Sequence, residues 1–142
     1  MNIDSIVNGI VIDHIAAGRA MRLYNMLNLD KLDCSVAIIK NVASKKMGKK
    51  DIIKIDSSID IDLDVLGYVC PYATVNIIKK GVLAEKRHIE TPQRLVNIIK
   101  CKNPRCITTT EQDIKHIFVL TDAEKLIYRC VYCEAEANKT EL

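Results

Sequence analysis

Cys101-Lys-Asn-Pro-Arg-Cys106 and Cys130-Val-Tyr-Cys133 form two short cysteine hooks with 23 residues between them. Each hook presents two thiols from a turn, and two such hooks close a tetrahedral S₄ cage of the kind that holds Zn²⁺. A cage whose four positions are all filled by protein leaves none for a water or substrate, so it supplies no Lewis acid. The spacing therefore predicts one structural Zn²⁺ per chain, held by Cys101, Cys106, Cys130 and Cys133. The competing reading is two unrelated cysteine pairs. The remaining thiols, Cys34 and Cys70, have no partner at a metal-binding spacing and read as inert core cysteines.

A second constellation is cationic. Lys50 and Lys54 flank Ile52 on an expected strand, so all three project from one face while Ile53 and Ile55 face the core. At the strand rise the two lysine stems stand about 13 Å apart, the scale of a nucleotide from sugar to phosphates. Lys86, in Glu85-Lys-Arg87, is a candidate third cation. The plainer reading is a solvated face whose lysines discourage edge pairing. The Lys45–Lys50 run carries no aromatic residue, so it lacks the stacking platform of a single-strand binder.

Little else suggests catalysis. His14, His88 and His116 are scattered, and there is no Gly-x-Ser-x-Gly turn or Gly-rich phosphate loop. Asp13-His14 could pair a base with its orienter, but neighbours on a regular strand point to opposite faces. An enzyme is the least favoured class.

The chain has 142 residues, 49% hydrophobic but only 4% aromatic and without Trp, so an Ile/Val/Leu core is expected. Net charge is +3, shared evenly: 13 basic against 11 acidic residues over 1–92, and 8 against 7 over 93–142. That balance argues against a dedicated nucleic-acid binder, which concentrates basic charge in a stripe. The start of the chain has no basic n-region and long apolar h-region, and no apolar run approaches a membrane span. A cytoplasmic protein with reduced thiols is the expectation.

These groups need elements to position them. Residues 5–13 read as a strand with an irregularity at Gly9, 17–28 as a helix, 34–40 and 50–56 as strands separated by a loop over 41–49. Residues 59–69 read as a helix with aspartates at its start. Residues 72–78 and 82–88 flank a Lys79-Lys80-Gly81 hairpin turn. The order β-α-β-β-α-β-β predicts an α+β fold: a ferredoxin-like antiparallel sheet with two helices and one added strand. Residues 93–100 read as a linking segment. Beyond them, hook, strand, strand and hook predict a small all-β zinc ribbon. The domains are expected at 1–92 and 93–142.

Five blocks in order now carry a resemblance: Val11-Ile-Asp-His-Ile15, Met47-Gly-Lys-Lys-Asp-Ile-Ile-Lys-Ile55, Pro71-Tyr-Ala-Thr-Val-Asn-Ile-Ile78, Cys101-x₄-Cys106 and Cys130-Val-Tyr-Cys-Glu134. Over essentially its whole length the chain resembles the regulatory chain of aspartate carbamoyltransferase. The resemblance implies a non-catalytic subunit that binds CTP, UTP or ATP in its first domain. It implies that the zinc domain docks on the catalytic chain and that regulatory dimers bridge catalytic trimers, giving allosteric control of pyrimidine biosynthesis. By position it puts Asp13 and Lys54 at the ribose hydroxyls and His14, Lys50 and Lys86 on the triphosphate. Ile3, Ile6, Ile52, Asn76, Ile78 and Leu83 would line the base and sugar pocket. Asn103 and Glu134 are the expected contacts to the catalytic chain. The chain departs from the family at Gly81, where an aromatic residue is usual, at Arg105, and by a short deletion before Pro71. A rival reading is a zinc-ribbon nucleic-acid-binding module.

Overall fold

The structure, a computed structural model, describes residues 6–137. It divides into two compact units, Met1–Thr91 and Pro92–Leu142.

In the first unit the element order is β1 (Gly9–Ala16), α1 (Ala20–Met26), β2 (Val36–Ser44), β3 (Gly48–Ile55), α2 (Leu63–Val69), β4 (Thr74–Lys79) and β5 (Val82–His88). The strands form one sheet in the order β2-β3-β1-β4-β5, antiparallel at every pairing. This is the ferredoxin-like arrangement with β5 added at an edge. Ile10, Ile12, Ile53, Ile55 and Val75 point to one face and are buried, together with Ala20 and Leu23 of α1 and Val65, Leu66 and Val69 of α2. The aspartates before α2 act as expected: the Asp62 carboxylate accepts from the backbone N–H of Asp64 and Val65, although the helix starts at Leu63 rather than residue 59. The hairpin turn is Lys80-Gly81, both at positive φ (54° and 76°), the pattern of a type I′ turn that favours glycine at its second position.

Three expectations need correction. The segment 41–49 is not a loop, because β2 runs to Ser44 and β3 begins at Gly48, leaving a three-residue turn tied by Met47 N–H donating to Ser44 Oγ. The irregularity of β1 is not at Gly9. Gly9 sits in regular register with Ile78, and its missing Cβ makes room for the Ile55 carbonyl. The break falls at Asp13-His14, which together oppose Ile52 as a β-bulge, with His14 at φ 58°. The bulge lets Asp13 and His14 interact, contrary to the regular-strand argument.

The second unit holds β6 (Arg94–Val96), β7 (Ile117–Asp122) and β8 (Ile127–Cys130) in a three-stranded antiparallel sheet. Residues 93–100 thus supply a strand and not merely a link; buried Leu95 opposite buried Phe118 is what fixes it. A single helical turn, α3 (Ile107–Thr110), follows the first hook. The core is small: Leu95, Ile117, Phe118, Tyr128 and the buried cysteines. Among the described residues no helix is long and apolar enough to cross a membrane.

Candidate functional site

The register of the first sheet assembles a polar face opposite its buried one. Directly paired residues share a face, so Lys54, Val11, Asn76 and Lys86 form one row across β3, β1, β4 and β5. Thr74 and His88 continue the next row from Asp13. Gly9, Ile78 and Leu83 form the row on the other side. Every described residue that the resemblance assigned to β1, β3, β4 or β5 lies on this face. Ile6 precedes β1 and is half-buried. Ile3 lies outside the described residues.

The bulge organises the centre of the face. Lys50 Nζ stands 2.9 Å from Asp13 Oδ1, which also accepts the His14 backbone N–H at 2.6 Å. Asp13 is only about one-fifth exposed. Its burial alone would raise its pKa, but the hydrogen bonds from Lys50 and His14 and their positive charge outweigh that and hold the carboxyl below its ordinary range. The His14 ring reaches sideways, with Nδ1 3.2 Å from Thr74 Oγ1. Among the described residues neither Lys54 nor Lys86 has a carboxylate partner. Among the same residues Asn76 Oδ1 is buried without a hydrogen-bond partner, an orphaned acceptor in the middle of the row. Two unpaired ammonium groups, an orphaned amide oxygen and a carboxylate edge, backed by apolar Ile52, Ile78 and Leu83, make a surface suited to a polar anionic ligand with an apolar portion.

Asp51 is a residue that sequence reasoning did not single out. It is fully buried, and its two oxygens accept three backbone N–H groups: Asn41 on Oδ1 at 3.0 Å, Gly18 and Ala20 on Oδ2 at 3.0 and 3.3 Å. A charged residue at a core position of a strand was the available signal.

In the second unit the Sγ atoms of Cys101, Cys106, Cys130 and Cys133 all lie within 4.8 Å of one another. Cys101 and Cys133 are 3.6 Å apart, Cys106 and Cys130 3.7 Å. With Zn–S bonds of about 2.3 Å, the edge of an S₄ tetrahedron is about 3.8 Å, so the four sulfurs already stand close to that arrangement. Burial pushes the Cys101 thiol up to about 12 and also raises that of Cys130. For Cys133 burial is outweighed by hydrogen bonds, chiefly from the Ala135 backbone and the Asn103 side chain, which bring it to about 7. The hooks are themselves braced. Cys101 N–H donates to His116 Nδ1 at 3.1 Å, and Cys130 N–H donates to the Ala135 carbonyl. Asn103 Oδ1 accepts from Arg105 N–H. His116 was missed as a support because nothing in its spacing from the hooks marks it.

Comparison with known proteins agrees with this geometry. The family model described as the aspartate carbamoyltransferase regulatory chain, allosteric domain, matches residues 1–90. The metal-binding domain of the same regulatory chain matches residues 93–142. The chain is 50% identical over 135 residues to the aspartate carbamoyltransferase regulatory chain of Clostridium tetani, covering 94% of each. It is 47% identical over 138 residues to that of Bifidobacterium longum, covering 97% of this chain and 99% of the relative. Against that of Clostridium botulinum identity is 48% over 134 residues, covering 94% and 92%.

Proposed function

The chain belongs to the family of aspartate carbamoyltransferase regulatory chains, and from that premise we propose that the open face of its first sheet binds the nucleoside triphosphates CTP, UTP and ATP as effectors of an associated catalytic chain. The chain is regulatory and non-catalytic. The observation that carries the nucleotide reading is the row Lys54–Val11–Asn76–Lys86, with its unpaired cations and orphaned acceptor.

On this reading Lys50, Lys86 and His14 meet the triphosphate as dispersed positive or donor groups. Asp13 and Lys54 take the ribose hydroxyls, the carboxylate as acceptor. Ile6, Ile52, Asn76, Ile78 and Leu83 enclose base and sugar. Gly81, required by the turn geometry, leaves this corner of the face open. An effector shifts activity only by binding one quaternary state more tightly than the other, typically by about 1–3 kcal/mol.

The four cysteines would hold one structural Zn²⁺, whose thiolate ligands suit a reducing cytoplasm. Zinc would contribute folding free energy that the small core of the second unit does not supply. Exposed Ile107, Val131 and Tyr132, with Asn103, Arg105 and Glu134 beside the hooks, form the surface we assign to the catalytic chain. A pair of regulatory chains is assigned to the β2 edge. Its Val36-Ala-Ile-Ile stretch lacks the charges that guard β5, where Glu85-Lys-Arg-His88 closes the opposite edge.

The test is calorimetry of CTP against the assembled complex carrying wild-type chain or Lys86→Ala. Loss of one phosphate contact should weaken binding by about tenfold. Unchanged affinity would remove Lys86 from the site, and no binding to wild type outside the catalytic sites would end the effector reading.

A further inference from the structure

Both neighbours of β3 are bulged, at successive positions. On one side Asp13-His14 of β1 oppose Ile52; on the other Lys40-Asn41 of β2 oppose Asp51. Each bulge contains one residue with left-handed backbone, His14 at φ 58° and Asn41 at φ 60°. Neither is glycine, so each conformation costs free energy that its surroundings must offset. The group between them is the Asp51 carboxylate. Oδ1 holds the N–H of Asn41 itself, inside the β2 bulge, and Oδ2 holds Gly18 and Ala20, just after β1 ends. Helix α1 has no side-chain cap of its own at Arg19, and Asp51 supplies one from the neighbouring strand. Ile15, next after the β1 bulge, pairs directly with Asp51.

We propose that Asp51 is the positioning residue of the nucleotide face: by bracing the β2 bulge and the exit of β1 from the buried side of the sheet, it fixes the bulge that presents Asp13 and His14 to the ligand. This rests on the nucleotide reading above and adds to it a residue that touches no ligand. The geometry is that of a three-way tie. The carboxylate joins the edge strand, the exit of β1 and the start of α1, while its chain neighbours Lys50 and Ile52 stand on the opposite, ligand-facing side. Ligand face and β2 edge therefore cannot shift independently. A carboxylate is suited to this place because it accepts on both oxygens; an amide must turn an N–H toward one set of donors.

The test compares Asp51→Asn with Leu66→Ala, a buried apolar truncation in α2 that removes no hydrogen bond to either bulge, under conditions chosen so that the two lose equal Tm. Calorimetry of CTP with the assembled complex should show binding weakened about tenfold by Asp51→Asn. Leu66→Ala should leave the affinity unchanged. Equal effects, or no effect of Asp51→Asn while wild type binds CTP, would overturn the proposal. A ligand-free measurement separates its failure from that of the nucleotide reading. In NMR spectra of the full metal-loaded chain, Asp51→Asn should shift the amide signals of both His14 and Asn41, and Leu66→Ala neither. An unmoved His14 signal would refute the brace whether or not any nucleotide binds.

Discussion

Replacing Lys50 by Met tests the electrostatic centre of the sheet face. The variant keeps most of the apolar stem and removes the ammonium that sits 2.9 Å from Asp13 Oδ1. At an effective dielectric of 20 the bare attraction over that distance is about 6 kcal/mol, but desolvation of both groups cancels much of it. Their side chains are 16% and 21% exposed, between the fully exposed pairs worth about 0–1 kcal/mol and the buried pairs whose breaking costs about 3–5. Allowing for the solvent that still reaches the pair, a loss of about 1–2 kcal/mol at neutral pH is expected.

The sign of its pH dependence follows from Asp13. In the wild type the folded carboxyl lies below its ordinary value, so its stabilisation is present above the unfolded pKa and disappears as pH falls through the folded one. Without Lys50, burial is opposed only by His14, and the folded pKa must rise. The deficit of Lys50→Met should therefore be largest at neutral pH and close in strong acid, where both proteins carry a protonated Asp13. Amide exchange of Ile12 and Ile53, both fully buried strand residues, reports the unfolding of this unit. NMR titration of the Asp13 carboxyl carbon reports its pKa directly. A neutral-pH deficit below about 0.3 kcal/mol, within the range of an inert surface change, or an unmoved Asp13 titration, would refute the reasoning.

Two further outcomes follow. Removing the metal with a strong chelator should unfold the second unit while the sheet of the first persists, because only the second has too small a core to stand without its staple; coincident loss of amide protection at Ile12 and Phe118 would contradict it. Gly9→Ala should destabilise the first unit by about 1–3 kcal/mol, since the added Cβ would collide with the Ile55 carbonyl oxygen and Ile6 Cγ2; thermal melts showing no loss would mean that β1 and β3 can part there without cost.

The chemistry of this chain was more legible than its backbone irregularities. Cysteine spacing located the four sulfurs because a hook is a local device: six residues define the first and four the second. The order of elements was readable because hydrophobic alternation is local too, and a ferredoxin-like sheet follows from that order. The breaks in alternation were present but misplaced. The buried isoleucines of β1 fall at 10, 12 and 15, and the change of spacing from two to three marks the bulge at Asp13-His14, whereas glycine at position 9 drew attention to itself for an unrelated steric reason. β6 was missed because three residues carry no periodicity of their own; only Phe118, 23 positions further on, makes Leu95 a strand residue.

Asp51 illustrates the deeper limit. On a strand whose other core-facing positions are Ile53 and Ile55, an aspartate looks like a solvated residue until its three donors are known, and these come from positions 18, 20 and 41. A buried carboxylate is tolerated only where several N–H groups converge on it, so its presence at a core position implies such a convergence without naming the donors. The same logic separates the two halves of the functional site. Metal ligands announce themselves through side-chain type, but the nucleotide face is created by cross-strand register, which brings Lys54 and Lys86 into one row from positions 32 residues apart.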